Sequence, residues 1–392
     1  MKILYINAVC GHGSTGRMVV DLLRSAQRAG HQGKIAFGVG SPAGVLPEEV
    51  ISFESKWDYY HHNALSRLTD HTGLYSAGAT RRLVEEIRKF DPDVIHLHQL
   101  HGYYVHFEIL FDYLRQANKP VIWTLHDCWA FTGHCTHFSD VGCRQWKTGC
   151  DGCPQLRRYP KCYFRGDAAG NYRRKRQAFC GLERLTIVTP SQWLGGLVRQ
   201  SFLGKYPVVT IPNGIDAGVF RPREGALHYQ GCKMVLGVAN VWSEKKGLLD
   251  FYELSRRLGR EYRVVLVGLT EAQRRSLPPG ILGLGRTADA GELAALYSSA
   301  QVLVNPTYED TFPTVNLEAQ ACGTPVVTYD TDGSPETVRD GCVVPKGDVA
   351  ALCRAVQCVQ KSTATERVVF DQSQMCGRYL ELYAREAAKC GG

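Results

Sequence analysis

Short apolar runs rich in Val and Ile alternate along this chain with longer stretches whose apolar residues recur at helical spacing. In the first half the runs are KILYIN from Lys2, KIAFG from Lys34, DVIHL from Asp93, VIWTL from Val121, LTIVT from Leu185 and VVTI from Val208. Between the first two, Val19, Val20, Leu22, Leu23 and Ala26 form one broad face of a helix over Gly16 to Ala29. The second half repeats the grammar with KMVLGV from Lys233, YRVVLVG from Tyr262, QVLVN from Gln301 and PVVTYD from Pro325. A strand that is apolar throughout needs cover on both faces, and helices between successive strands supply it when the strands run parallel. The pattern predicts an α/β protein of two doubly wound, Rossmann-like domains.

Periodicity lapses over residues 211–232, IPNGIDAGVFRPREGALHYQGC, where turn formers cluster. This places an N-terminal domain at 1–215, a second domain at 230–370 and a terminal helix at 371–392, carrying Tyr379, Leu380, Leu382 and Tyr383, that would pack across the hinge. Ligands of open α/β sheets sit beyond the carboxyl ends of the strands, so two such sheets facing each other would hold a ligand in a central cleft.

Composition narrows the class. At 392 residues the chain suits two or three domains, and its 44% apolar and 21% charged residues are ordinary for a globular protein. No apolar run approaches the ~18 residues of a spanning helix. The start, MKILYINAVCGHGSTGR, has no small-residue cleavage site and reads as a buried first strand rather than a signal peptide. The expectation is a cytoplasmic protein whose 15 cysteines are buried, metal-bound or reactive rather than paired. A net charge of +8 admits anionic ligands, membrane surfaces or nucleic acid and selects none of them.

Two segments carry candidate chemistry. The first strand runs into CGHGSTG, where Gly13, Ser14 and Gly16 open a helix whose free N–H groups would approach an anion. The segment after the second strand, KIAFGVGSPAG, has no acid to hold a ribose, which disfavours a nicotinamide dehydrogenase. The richer segment is NPTYEDTFPTVNLEAQACGTPVVTYDTDGSPE, Asn305 to Glu336. A strand ends at Asn305, a loop carries Glu309 and Asp310, a helix starts near Pro313, a residue suited to a first helical position, and Glu318 lies within that helix. Such a helix start aims N–H groups at an anion while two carboxylates flank it, an arrangement that fits the hydroxyls on either side of a diphosphate.

This string resembles the retaining GT-B glycosyltransferases of family 4, which carry an acidic pair separated by seven residues and followed by A-x-G-x-P-V. The match is Asp310 and Glu318 followed by AQACGTPVV, with IPNGID, EKKG and GSPE in the family's order over nearly the whole chain. Enzymes of bacterial capsule, exopolysaccharide and colanic-acid assembly are similar. The family usually has Glu where this chain has Asp310, and often Arg where it has Val241. The resemblance implies that Glu318 binds the ribose of a nucleotide-sugar donor, that Asp310 contacts the transferred sugar, and that Lys246, assisted by Lys245, neutralises the diphosphate. It extends the donor site to Asn213, Thr311, Phe312 and Pro313, and gives His126 a supporting role toward the donor sugar. A helix start is an unfavourable place for unpaired lysines, which itself points to an anionic ligand there.

The implied activity is transfer of a sugar with retention to a glycan acceptor, lipid-linked, by front-face attack, with no catalytic metal. A GT-B-like nucleotide-sugar 2-epimerase and a non-catalytic nucleotide-sugar-binding scaffold are the alternatives. His96, His98 and His101 end a strand at the expected cleft edge and suggest either a metal or the lining of an acceptor pocket. An insertion at about 128–162 carries Cys135, Cys143, Cys150 and Cys153, whose spacing and knuckle-like glycine turns favour a structural zinc ion. Finally, residues 157–176, RRYPKCYFRGDAAGNYRRKR, set eight Lys or Arg and four aromatic rings against the single acid Asp167. That patch predicts peripheral association with the anionic inner face of a membrane, and no nucleic acid.

Overall fold

The computed structural model describes residues 1–223, 231–361 and 370–389. The expected boundary segment 211–232 and the expected ranges 230–370 and 371–392 therefore lie partly outside the described residues. The chain divides into two compact units, Met1–Ile211 with Cys376–Gly392, and Pro212–Met375.

The first unit is built on seven parallel strands: β1 (Lys2–Asn7), β2 (Gln32–Phe37), β3 (Val50–Ser52), β4 (Val94–Leu97), β5 (Val121–Thr124), β6 (Leu185–Thr189) and β7 (Val208–Thr210), in the order β3-β2-β1-β4-β5-β6-β7. The second has six: β8 (Lys233–Val238), β9 (Tyr262–Val267), β10 (Ile281–Leu284), β11 (Val302–Asn305), β12 (Val326–Tyr329) and β13 (Gly341–Val344), in the order β10-β9-β8-β11-β12-β13. In each sheet the chain winds outward from its first strand in one direction and then returns to wind in the other. That reversal, between β1 and β4 and again between β8 and β11, opens the crevice beyond the strand ends where such sheets bind ligands.

Every strand expected from apolar runs is present, and β3, β10 and β13 are additional. All three are edge strands. An edge strand is covered less completely, so its sequence need not be continuously apolar: β13 reads GCVV with an exposed first residue, and β10 reads ILGL with no residue fully buried.

The helix Gly13–Arg28 buries Val19, Leu22, Leu23 and Ala26 of the expected face and Met18 besides, while Val20 is half-buried. The last helix, Gln372–Ala388, begins in the second unit and runs on in the first, where Tyr379 and Tyr383 are fully buried. Tyr383 hydrogen-bonds His96 Nδ1 at 2.7 Å, and Tyr379 hydrogen-bonds Thr124 Oγ1 at 3.0 Å. These contacts pin the chain's end to β4 and β5.

Candidate active site

β11 delivers the chain to a loop carrying Glu309 and Asp310 and then to the helix Thr314–Ala321. Pro313, expected as the first helical residue, caps that helix instead; its ψ of 112° is still extended. Across from this loop, the single turn Glu244–Lys246 ends at Gly247 (φ +70°), which steers the chain into the helix Leu248–Arg257. Lys245 and Lys246 thus stand in the turn before the helix rather than on its first residues. A Cβ on Gly247 would lie 2.4 Å from the Pro306 carbonyl oxygen, so the lysine turn presses directly on the chain leaving β11. The Tyr308 N–H donates to the Lys245 carbonyl at 2.8 Å, fixing the register.

The consequence is two parallel ion pairs. Lys245 Nζ meets Glu309, and Lys246 Nζ donates to Asp310 Oδ2 at 2.7 Å. Glu309, one step out of the family's register, is the buried partner of Lys245, its side chain only 4% exposed. Asp310 is held further by the Phe312 N–H on Oδ1 at 3.2 Å, while its own N–H donates to Asp332 Oδ2 at 3.2 Å. Glu318 is buried within the helix and accepts the Tyr297 hydroxyl at 2.8 Å. Burial, with Glu318 beside it, holds that hydroxyl's pKa well above its usual value, so Tyr297 stays a donor. Asn316, fully buried, accepts from Asn305 Nδ2 at 2.9 Å and donates to Thr337 Oγ1 at 2.8 Å, tying the helix to the end of β11.

Tyr297, Thr331, Asp332 and Ser334 were not singled out from the sequence, although GSPE marks the loop. The hydroxyls of Thr331 and Ser334, and Oδ1 of Asn213 elsewhere in the same unit, are buried without a hydrogen-bond partner among the described residues. A buried unpaired polar group costs ~1–3 kcal/mol. Thr331 and Ser334 flank the Asp332 that braces Asp310. Thr311, Phe312 and Pro313 are all buried in the loop between the paired acids and the helix.

In the first unit, Gly11 (φ +74°) packs so closely that a Cβ would lie 2.1 Å from the Ala43 carbonyl oxygen. Its N–H donates to the carbonyl of the buried Gly16 at 3.1 Å, closing the turn. Gly13 and Ser14 are exposed at the helix start, and the capping residue His12 makes no side-chain cap, which leaves first-turn N–H groups for an anion.

The three histidines of HLHQLH separate. His96 is not at an edge: it is a core residue bonded through both nitrogens, to Tyr383 and to Thr124 at 2.8 Å. His98 Nδ1 faces His126 Nε2 at 3.1 Å, the rings stacked at 5.4 Å. His101 Nε2 lies 2.6 Å from Asp127 Oδ2, with the Tyr159 hydroxyl 3.0 Å from Nδ1. His98, His101, His126 and Asp127 line one small cavity with Trp123 and Trp129. Desolvation lowers the pKa of His126 to about 4, so it is a neutral imidazole at pH 7. Asp127, a pairing absent from the sequence reading, is held at about 2: burial works against its ionisation, and His101, together with His137 and the Trp129 N–H, outweighs it.

No disulfide joins cysteines among the described residues. Cys135, Cys143, Cys150 and Cys153 line one cavity, yet no three His, Cys, Asp or Glu side chains among the described residues are grouped as a ready metal site. The insertion also has its own aromatic core, Phe138 stacked on Trp146 at 5.0 Å with Phe131 against both. One part of the expected basic patch is not surface: Lys175 is 1% exposed, its Nζ donating to the Trp129 and Thr132 carbonyls at 2.8 and 3.0 Å.

Comparison with known proteins identifies the family. The model described as Glycosyltransferase Family 4 matches residues 15–219, and the model for Glycosyl transferases group 1 matches 232–361. The chain belongs to glycosyltransferase family 4. Among relatives of this family 4 glycosyltransferase, a protein of Escherichia coli (strain K12) assigned provisionally to colanic acid biosynthesis, the glycosyl transferase WcaC, is 25% identical over 98% of this chain and 99% of its own. The phosphatidyl-myo-inositol mannosyltransferase of Mycobacterium leprae (strain TN) is 34% identical over 44% of this chain and 49% of its own. Solved structures share the GT-B fold of the family at low identity. Sucrose-phosphate synthase from Thermosynechococcus elongatus has a TM-score of 0.69 at 17% identity, over 99% of this chain and 100% of its own. Anabaena Alr3699/HepE, crystallised with UDP, has 0.65 at 15%, over 98% and 100%. Among the described residues, no helix of this family member is long and apolar enough to cross a membrane.

Proposed function

We propose that this glycosyltransferase moves a sugar from a nucleoside diphosphate donor to a lipid-linked glycan during polysaccharide assembly, with retention at the anomeric carbon. The observation that carries this reading is the pair of ion pairs, Lys245 with Glu309 and Lys246 with Asp310, braced against a helix that buries Glu318. The donor's diphosphate takes Lys246, assisted by Lys245, and the ribose hydroxyls take Glu318. Asp310, positioned by Phe312 and Asp332, then accepts from hydroxyls of the transferred sugar. As the glycosidic C–O bond breaks, negative charge grows on the leaving diphosphate oxygen, and cations already in place lower that barrier. The acceptor hydroxyl attacks from the same face and gives its proton to the departing diphosphate. His126, neutral, contributes a hydrogen bond to the sugar rather than a proton. The UDP of the Anabaena structure and the diphospho-undecaprenol acceptor named for a Campylobacter jejuni relative are consistent with this donor and acceptor chemistry.

We place the enzyme in the cytoplasm, touching the inner face of the membrane through exposed cations and rings: Arg157, Lys161 and Arg165, with Tyr163 and Phe164. Trp57 and Tyr60, on a helix whose Arg67 carbonyl accepts the Tyr163 N–H at 2.8 Å, extend that surface. A panel of UDP-, GDP-, ADP- and dTDP-sugars in a thermal-shift assay identifies the donor, because a ligand of the folded state raises the melting temperature. With that donor and a lipid-linked glycan, NMR of the product should show the donor's anomeric configuration. Donor turnover without acceptor, or binding without turnover, would overturn the reading in favour of an epimerase or a scaffold.

A further inference from the structure

The Cys-rich insertion holds polar and charged groups that its own residues leave uncompensated. Its chain has no helix longer than a single turn between β5 and the helix Ala168–Phe179. Cys135, Cys143, Cys150 and Cys153 converge on one small cavity, where Cys135 and Cys153 are hydrogen-bonded to each other. Two backbone N–H groups already point at sulfur: Gly133 donates to Cys150 Sγ at 3.2 Å, and Gln155 donates to Cys153. Gly152, at φ +53°, makes the left-handed turn inside the C-x-x-C pair. Backbone N–H groups stabilise thiolates rather than thiols.

Independent observations ask for an anion at this place. His134 lines the same cavity at 2% exposure; its Nδ1 is bonded to the buried Asp70, and its Nε2 has no partner among the described residues. Lys175 lies fully inside the unit with its Nζ on two carbonyls and over the Trp129 ring, and forms no ion pair with a carboxylate among the described residues. Thr132, whose carbonyl accepts from that Nζ, lines the cysteine cavity, so a buried anion there would have Lys175 beside it.

We propose that the thiolates of Cys135, Cys143, Cys150 and Cys153 bind one structural zinc ion, with Lys175 and His134 as the buried polar groups that surround the tetrathiolate. Binding releases four thiol protons to solvent, and the divalent ion with four thiolates carries a net charge of −2. Lys175 and His134, both buried beside the cavity, face that charge from the surrounding unit. The donors share a wall but are not yet a cage, so the ion is what draws them to tetrahedral distance. The site belongs to the first unit, the Lys–carboxylate pairs to the second, and its role is structural.

The test uses the full chain, expressed with zinc in the medium and purified without chelator. Elemental analysis should give about one zinc per chain. Titrating the wild-type protein with an organomercurial should release that zinc as the thiols react, a readout that needs no variant to fold. Cobalt exchanged into the protein should show the ligand-field bands of a tetrahedral site and sulfur-to-cobalt charge transfer. Cys150→Ser and Cys153→Ser should each lose at least tenfold in zinc affinity, while His134→Gln keeps the ion. Zinc-free protein with all thiols immediately reactive would overturn the proposal, as would zinc content unchanged in both cysteine variants. Loss of the ion in His134→Gln with retention in Cys143→Ser would overturn the tetrathiolate assignment.

Discussion

At the scale of single residues, the proposed donor site is a matter of which carboxylate answers which cation. Glu318 is buried and bonded to Tyr297, whereas Asp310 is tied to Lys246 at the loop surface, so the two acids should fail differently. Glu318→Gln should weaken nucleotide binding itself, and Asp310→Asn should depress transfer while leaving nucleoside diphosphate affinity nearly intact. A hydrogen bond to a charged group is worth ~1.5–3 kcal/mol, which sets losses at roughly tenfold to a hundredfold; calorimetry with the diphosphate and initial rates with the full substrates separate the two. A second residue-scale expectation concerns His126. Its pKa of about 4 means that it does not titrate between pH 6 and 8, so the rate should show no His126 inflection there. An inflection near 6.5 that disappears in His126→Gln would contradict its role as a neutral hydrogen-bonding group. Glu54 runs the opposite way, since burial raises its carboxyl to about 8 from an ordinary value of 4.5. The folded state then binds a proton that the unfolded state has released, so this group's stabilisation is complete below pH 4.5 and is lost as pH rises through 8. Melting temperatures of Glu54→Gln should decline less than wild type over that window.

At the scale of elements, the site depends on two contacts between backbone segments. Gly247→Ala meets both a left-handed φ and the Pro306 carbonyl, so the lysine turn would have to back away from the acidic loop. Donor affinity should fall by at least tenfold, with a smaller loss of overall stability, measured by titration and by thermal melts of the same variant. Asn316→Ala would leave Asn305 and Thr337 without their shared partner and should cost ~1–3 kcal/mol of stability in denaturant unfolding. Interior strands and the order of motifs were legible in the sequence because a doubly covered strand leaves an unbroken apolar run. β3, β10 and β13 were not, because an edge strand owes its place to pairing along one side rather than to its own side chains. The acids and lysines of the donor loop were legible as residue types, yet their pairing was not: Lys245 with Glu309 depends on how the turn at Gly247 stacks on Pro306. His96 and Lys175 misled for the same reason, since a histidine at a strand end and a lysine in a basic run say nothing about which face of the element they occupy.

At the scale of the whole molecule, the first unit is discontinuous in sequence. Its sheet is complete by Ile211, but Tyr379 and Tyr383 come from the far end of the chain and satisfy His96 and Thr124 inside it. Residues 1–211 expressed alone should therefore be poorly soluble or loosely packed, and co-expression with a peptide spanning 372–389 should restore cooperative melting. Tyr383→Phe, which removes only a hydroxyl, should cost ~1–3 kcal/mol.

That arrangement also has a consequence in time. A ribosome extends a chain at ~5–20 residues per second, so roughly ten to thirty seconds separate the emergence of β7 from that of the last helix. For that interval the nascent N-terminal sheet exists with a groove of buried imidazole and tyrosine surface still open. The second unit, continuous in sequence, can close by itself while the first waits. Synthesis thus finishes the two halves in the reverse of the order in which it begins them, and a chaperone that shields the waiting groove should raise the yield of active enzyme more than one acting after release.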